Sequence, residues 1–166
     1  LKYLFPLFAF ALGVLIAEQI QHKYKYAKRL HWRQGILGAE IIILFIVGFI
    51  PQRGNMIATV LVSFACAMQV QSFRKVNGFS YASTMCIGNL RSGTAALSFY
   101  LRERRPEQLR QAMYYLGIIV LFAIGAGIGG NLSANYGIHM IWVSCGLLIV
   151  SFLLMFLDIE ARRSRA

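Results

Sequence analysis

Charge is scarce in this sequence, and acidic charge scarcer still. Only 14% of the 166 residues are charged, with 6 Asp and Glu against 17 Lys and Arg. Soluble domains carry about 25% charged residues, so a soluble enzyme of ordinary composition is excluded. Cysteine occurs three times, as Cys66, Cys86 and Cys145. An odd, dispersed set without C-x-x-C spacing excludes a disulfide framework and a cysteine zinc site. These thiols read as small apolar residues buried among helices. His22, His31 and His139 have no ligand spacing to one another or to a carboxylate, so no metal and no cofactor is expected. P-loop, H-E-x-x-H and G-x-S-x-G patterns are all missing. The few carboxylates, most at loop edges, form no pair for acid–base hydrolysis. No catalytic residue is assigned, and the chain is not expected to be an enzyme.

What fills the space is apolar. The composition is 58% hydrophobic and the mean hydropathy is +0.60, which predicts a membrane protein. Five stretches approach the roughly 20 residues that cross a bilayer core as a helix: Tyr3 to Ile20, Gly35 to Ile50, Met56 to Phe73, Ala112 to Ile128 and Gly137 to Leu157. The fourth is entered through Arg105-Pro106-Glu107-Gln108, where proline suits a first helical turn. The fold class expected is an all-α polytopic membrane bundle.

Basic residues mark cytoplasmic loops. Lys23, Lys25, Lys28, Arg29 and Arg33 fall in 21–34; Arg74 and Lys75 follow the third stretch; Arg102, Arg104, Arg105 and Arg110 precede the fourth; Arg162, Arg163 and Arg165 end the chain. These segments are predicted to be cytoplasmic, with 51–55 and 129–136 on the outer side. Charge set between apolar runs is topology information, so no nucleic-acid partner is expected. The segment 21–34, with Tyr24, Tyr26 and Trp32, and the C-terminal tail are expected to touch anionic lipid headgroups. A second copy of the chain is a further candidate partner.

The same rule places 72–77 and 102–110 on one side, so 78–101 must enter and leave the membrane there. A broken or re-entrant element does this when protein shields its backbone. Phe79-Ser80-Tyr81-Ala82-Ser83-Thr84 is β-prone and polar, Gly88-Asn89 offers a break, and a half-helix is predicted from Leu90. Leu7-Phe8-Ala9-Phe10-Ala11-Leu12-Gly13 also aligns with Leu121-Phe122-Ala123-Ile124-Gly125-Ala126-Gly127, four of seven positions being identical. Each copy precedes a loop and one more helix, but the first loop is basic and the second uncharged. Inverted-topology repeats behave this way. The expected organisation is one membrane domain over 1–166, with 1–50 a partial first repeat, 56–157 the second and 158–166 a basic tail. A start at Leu1, followed at once by an apolar run, suggests a natural N-terminus further upstream.

The stretch Met68-Gln69-Val70-Gln71-Ser72-Phe73-Arg74-Lys75-Val76-Asn77-Gly78, with Ala82-Ser83-Thr84-Met85-Cys86-Ile87-Gly88-Asn89-Leu90-Arg91-Ser92, resembles the YoaK-like family. Its members are bacterial inner-membrane proteins of unknown function. The resemblance extends loosely over the helices on either side, and Ile87 stands where the family has threonine. It implies a plasma-membrane address and no established substrate.

Two places suggest chemistry. A half-helix opening at Gly88-Asn89 aims free N–H groups and a partial positive charge at its surroundings, and Arg91 adds a full charge where charge is costly. With Gln69, Gln71 and Asn77 lining an approach, this predicts a site for a small anionic solute. Against it stands packing by Gly88, capping by Asn89 and snorkelling by Arg91. Glu40, inside an apolar helix, is the candidate proton-coupling group and a candidate partner for Arg91. The expected function is secondary transport of a small anionic solute; the alternative is a non-transporting scaffold or lipid-interacting protein.

Overall fold

The computed structural model describes residues 3–24, 32–76, 79–80 and 86–163. The expected tyrosine and lysine contacts within 25–31, and the roles of Asn77 and of 81–85, lie outside them. The described chain is helical apart from one short strand pair. Its elements are α1 (Leu4–Tyr24), α2 (Trp32–Val47), α3 (Asn55–Ser72), β1 (Lys75–Val76), β2 (Phe79–Ser80), α4 (Cys86–Glu103), α5 (Pro106–Tyr136) and α6 (Ile141–Arg163). Short 3-10 turns at Gln52–Gly54 and Gly137–Met140 precede α3 and α6. Three stretches are long and apolar enough to cross a membrane: Leu4–Tyr24, Asn55–Ser72 and Pro106–Leu157, the last taking in α5 and most of α6.

The chain divides into two compact units, Leu1–Ser72 with Leu132–Ala166, and Phe73–Asn131. In the first, α1 packs most extensively on α3, and α2 packs on both α3 and α6. The α1–α3 seam is built from small residues. Ala9, Gly13 and Ala17, four residues apart on one helix face, are the buried positions of α1. A Cβ on Gly13 would stand 2.6 Å from the Phe64 carbonyl oxygen and 2.8 Å from Ala67 Cβ. Small side chains let membrane helices approach to this distance, where dispersion and weak polar contacts replace a hydrophobic driving force. Ala17, Trp32, Ile36 and Met68 then close the core at one end, and Leu44, Ala65 and Cys145 pack deeper along α2.

Pairings fix the helix directions within this unit. Glu18 meets Gln71 and Gly13 meets Ala67, so α1 and α3 run parallel. Trp142 reaches the Phe45 carbonyl and Cys145 the Ile41 carbonyl, so α6 runs against α2. The C-terminal ends of α1, α3 and α6 therefore lie with the N-terminal end of α2. Sequence placed the basic segments 21–34 and 74–75 and the tail at these same four ends. Outward, the unit presents Phe5, Phe8, Leu12 and Leu15 from α1, and Leu147, Val150, Leu154 and Leu157 from α6. An apolar exterior of this extent on a soluble monomer marks an interaction surface; against hydrocarbon it is an ordinary lipid face.

The second unit corrects one expectation. Phe79 pairs with Val76 and Ser80 with Lys75 in antiparallel register, flanking Asn77-Gly78 in the sequence. The segment 79–101 is thus not one continuous helix, but the half-helix opens at Cys86 rather than Leu90. Gly88 and Asn89 stand inside its first turn instead of breaking it. The reason lies in the face they extend: Asn89, Gly93 and Ala96 are the buried residues of α4. At Gly93 an added Cβ would sit 3.0 Å from Tyr115 Cβ on α5. First-turn N–H groups lack intrahelical partners in any case, so glycine and asparagine are tolerated there.

The α4–α5 corner turns at Arg104, the one non-glycine residue with positive φ (54°) among the described residues. Its N–H donates to the Tyr100 carbonyl at 2.8 Å, closing α4 as a left-handed C-terminal residue does. Pro106 then opens α5. Arginine carries a Cβ penalty in this conformation, so Arg104→Gly is expected to raise stability by up to about 1 kcal/mol. Thermal unfolding in detergent checks this; a lower midpoint would show that the corner depends on the arginine side chain.

The repeat-like copies sit in different surroundings. Gly13 is clamped against α3, whereas a Cβ on Gly125 or Gly127 would meet nothing within 4 Å.

Candidate functional site

Glu40 is 3% exposed, in the middle of α2 and surrounded by apolar side chains. The helix face that carries it also carries Ile36, Leu37, Leu44 and Val47, all buried. The next residue, Ile41, offers its carbonyl to the Cys145 thiol of α6 at 4.0 Å, and α2 packs on both α3 and α6. One carboxyl oxygen of Glu40, Oε2, has no hydrogen-bond partner among the described residues. Leaving such a group unsatisfied costs about 1–3 kcal/mol, and native interiors rarely tolerate it without a reason.

A second polar group gathers where the ends of α1, α2 and α3 meet. The Gln71 side-chain amide donates to the Glu18 carboxylate, and the Ser72 hydroxyl donates to the Met68 carbonyl at 2.7 Å. Gln34, at the start of α2, is buried, and neither its side-chain nitrogen nor the buried side-chain oxygen of Gln21 has a hydrogen-bond partner among the described residues. Trp32 lies at this end too, with the Arg33 guanidinium 5.4 Å from its ring centre.

The sequence candidates divide between the two units. Gln69, Gln71 and Glu40 belong to the four-helix unit; Gly88, Asn89 and Arg91 belong to the other. Gln71 is buried and Gln69 half-buried, two residues apart on α3 and so on different faces of that helix. Asn89 is buried at 3% exposure. Gly88 and Arg91 are exposed, and a Cβ on Gly88 would meet nothing within 4 Å. Arg91 therefore contributes no charge to an enclosed cradle at Asn89. Among the described residues, no group of three or more His, Cys, Asp or Glu is arranged to hold a metal ion.

A family model described as "Protein of unknown function (DUF1275)" matches residues 1–154. The chain belongs to the DUF1275 family. No curated protein and no solved structure matches it. The expectation of an uncharacterised family, drawn from the residues around Gln69–Gly78 and Gly88–Asn89, is met. DUF1275 membership spans both units and all six candidates, and it brings no substrate with it.

Sequence reasoning missed Glu18, Gln21 and Gln34 in this DUF1275 chain. A signal was present: Gln21 follows Ala17 by four residues and Glu18 by three, so the helix face that is buried at Ala17 turns polar in the last turns of α1. The Glu18–Gln71 pair itself joins residues 53 apart in sequence, a separation that local pattern does not bridge.

Proposed function

We propose that this chain is a multi-pass protein of the bacterial plasma membrane, with its basic helix ends and C-terminus cytoplasmic, and that it works as a proton-linked secondary transporter of a small solute. The observation that carries the reading is the buried Glu40 carboxyl with one oxygen unpartnered among the described residues. Ionisable side chains within membrane helices are costly, and by default they mark ion, proton or substrate paths. Gln71, Gln69, Gln34 and Gln21 supply hydrogen-bonding groups at the end of the same unit, on the side where positive charge gathers. The Leu7–Gly13 and Leu121–Gly127 copies, one before a basic loop and one before an uncharged loop, support an inverted-repeat plan. An anionic solute retains Asn89 as its buried contact and loses Arg91 as its counter-charge.

The alternative, a membrane scaffold, draws on α5. Gly125, Gly127, Gly129 and Gly130 have open space where side chains would be, as a helix awaiting another helix does. Native thiols separate the two readings. In a Cys86→Ser background reconstituted in one orientation, a transporter path exposes Cys66 to a membrane-impermeant methanethiosulfonate from both sides of the vesicle. A scaffold leaves Cys66 and Cys145 unreacted from either side, and that result would overturn the transport reading.

A further inference from the structure

We propose that the start of α5 holds an anionic phospholipid, with its phosphate at Arg110, its first acyl carbons along Met113 and Tyr114, and Pro106 and Leu109 beside the headgroup. These five residues line an open groove of about 420 Å³, whose walls are mainly apolar. At its mouth the Arg110 guanidinium lies 5.7 Å from the Tyr114 ring centre, and its Nη2 points at the Tyr114 hydroxyl oxygen at 3.4 Å. That long contact leaves most of the guanidinium's five donors for another acceptor. The face of the aromatic ring attracts the cation and favours this placement.

Charge around the groove favours an anion. Arg105 is held by Glu103 at 2.9 Å. Arg102, stacked 5.1 Å from the Phe99 ring centre, Arg104 and Arg110 then face one further carboxylate at this corner, Glu107. Glu107 sits in the first turn of α5, where the helix N-terminus already favours it.

Position decides between a soluble anion and a lipid. Arg110 and Tyr114 stand where the charged corner gives way to the apolar run beginning at Ala112, which is where arginine and tyrosine meet headgroups. Met113 is 65% exposed one turn past Arg110, at the depth of the first acyl carbons. A free phosphate would use the guanidinium and leave the apolar wall bare; a phospholipid covers both. Multi-basic corners on the cytoplasmic leaflet are drawn to anionic lipid by its negative surface potential. The inference rests on the membrane reading and is independent of transport.

A benzoylphenylalanine photo-crosslinker at position 113 tests it. The full chain is placed in nanodiscs of equimolar phosphatidylglycerol and phosphatidylcholine, illuminated, and its lipid adducts are weighed. The expected ratio is at least fivefold in favour of phosphatidylglycerol. Arg110→Gln should return it to near unity, while Arg53→Gln, distant in sequence and outside this unit, leaves it unchanged. A ratio near unity with Arg110 intact overturns the proposal. So does loss of the preference on adding millimolar inorganic phosphate, which would make the site a soluble-anion site. Failure of the chain to enter nanodiscs at all would instead count against the membrane reading.

Discussion

Gly13→Leu is expected to be the most damaging single substitution in the four-helix unit, whereas Gly125→Leu on α5 leaves it folded. Both positions are helical glycines in apolar surroundings, so composition and helix propensity predict similar outcomes for the two. Space separates them. At Gly13 the first added carbon meets the Phe64 carbonyl oxygen at 2.6 Å and Ala67 Cβ at 2.8 Å. A backbone carbonyl inside α3 cannot swing aside without breaking that helix's own hydrogen bonds, so the whole α1–α3 seam must open. Overpacking of this kind costs about 1–3 kcal/mol for modest additions, and a leucine is expected to exceed about 3 kcal/mol. At Gly125 nothing lies within 4 Å of the added carbon. Replacing glycine in a helix interior even gains up to about 1 kcal/mol. Denaturant titration in mixed micelles measures both. Equal losses at the two sites would show that Gly13 is not the contact that holds α1 to α3.

That contrast also marks what the sequence made legible. The five apolar runs locate α1, α2, α3, α5 and α6, because hydropathy alone separates what can enter hydrocarbon from what cannot. Their ends were less readable. The fourth run was expected at Ala112 to Ile128, yet α5 extends from Pro106 to Tyr136. Backbone hydrogen bonding continues past the last apolar residue, and Pro106 opens a helix whatever the polarity of Glu107 and Gln108. The last helix starts at Ile141 rather than Gly137, since Gly137 takes a positive φ of 71° and a 3-10 turn follows. Phe79-Ser80 was read as β-prone and stands in a strand. Gly88-Asn89 was read as a break, but a buried stripe through Asn89, Gly93 and Ala96 outweighs local glycine propensity. Of the candidate site, Glu40 could be found from sequence because one acid in an apolar run is conspicuous by itself. Glu18 and Gln71 could not be paired, for their meeting depends on the parallel packing of α1 on α3.

Glu40→Met is expected to stabilise the protein and to abolish its proton-linked behaviour. The two halves of this outcome have one cause. Methionine fills nearly the same volume in an apolar pocket, so no cavity forms. It also removes a carboxyl oxygen that has no hydrogen-bond partner among the described residues, and the cost of burying that group disappears with it. The gain expected is about 1–2 kcal/mol, within the range for an unsatisfied buried polar group. A residue retained against stability in this way is one that function requires. Glu40→Gln separates charge from shape: it keeps the volume and hydrogen-bonding capacity but cannot exchange a proton. It should leave the unfolding midpoint close to that of the unmodified chain. The functional readout is Cys66 labelling by an impermeant thiol reagent, corrected for the reagent's own pH dependence with a model thiol. Between pH 5 and 8 the corrected rate should change with the Glu40 carboxyl present and stay flat in both variants. If Glu40→Met instead lowers stability by several kcal/mol, the carboxyl is a structural partner within the bundle and the proton site lies elsewhere. A corrected rate that is flat in the unmodified chain, with stability raised as expected, would leave Glu40 buried without a proton to carry and would refute the coupling role.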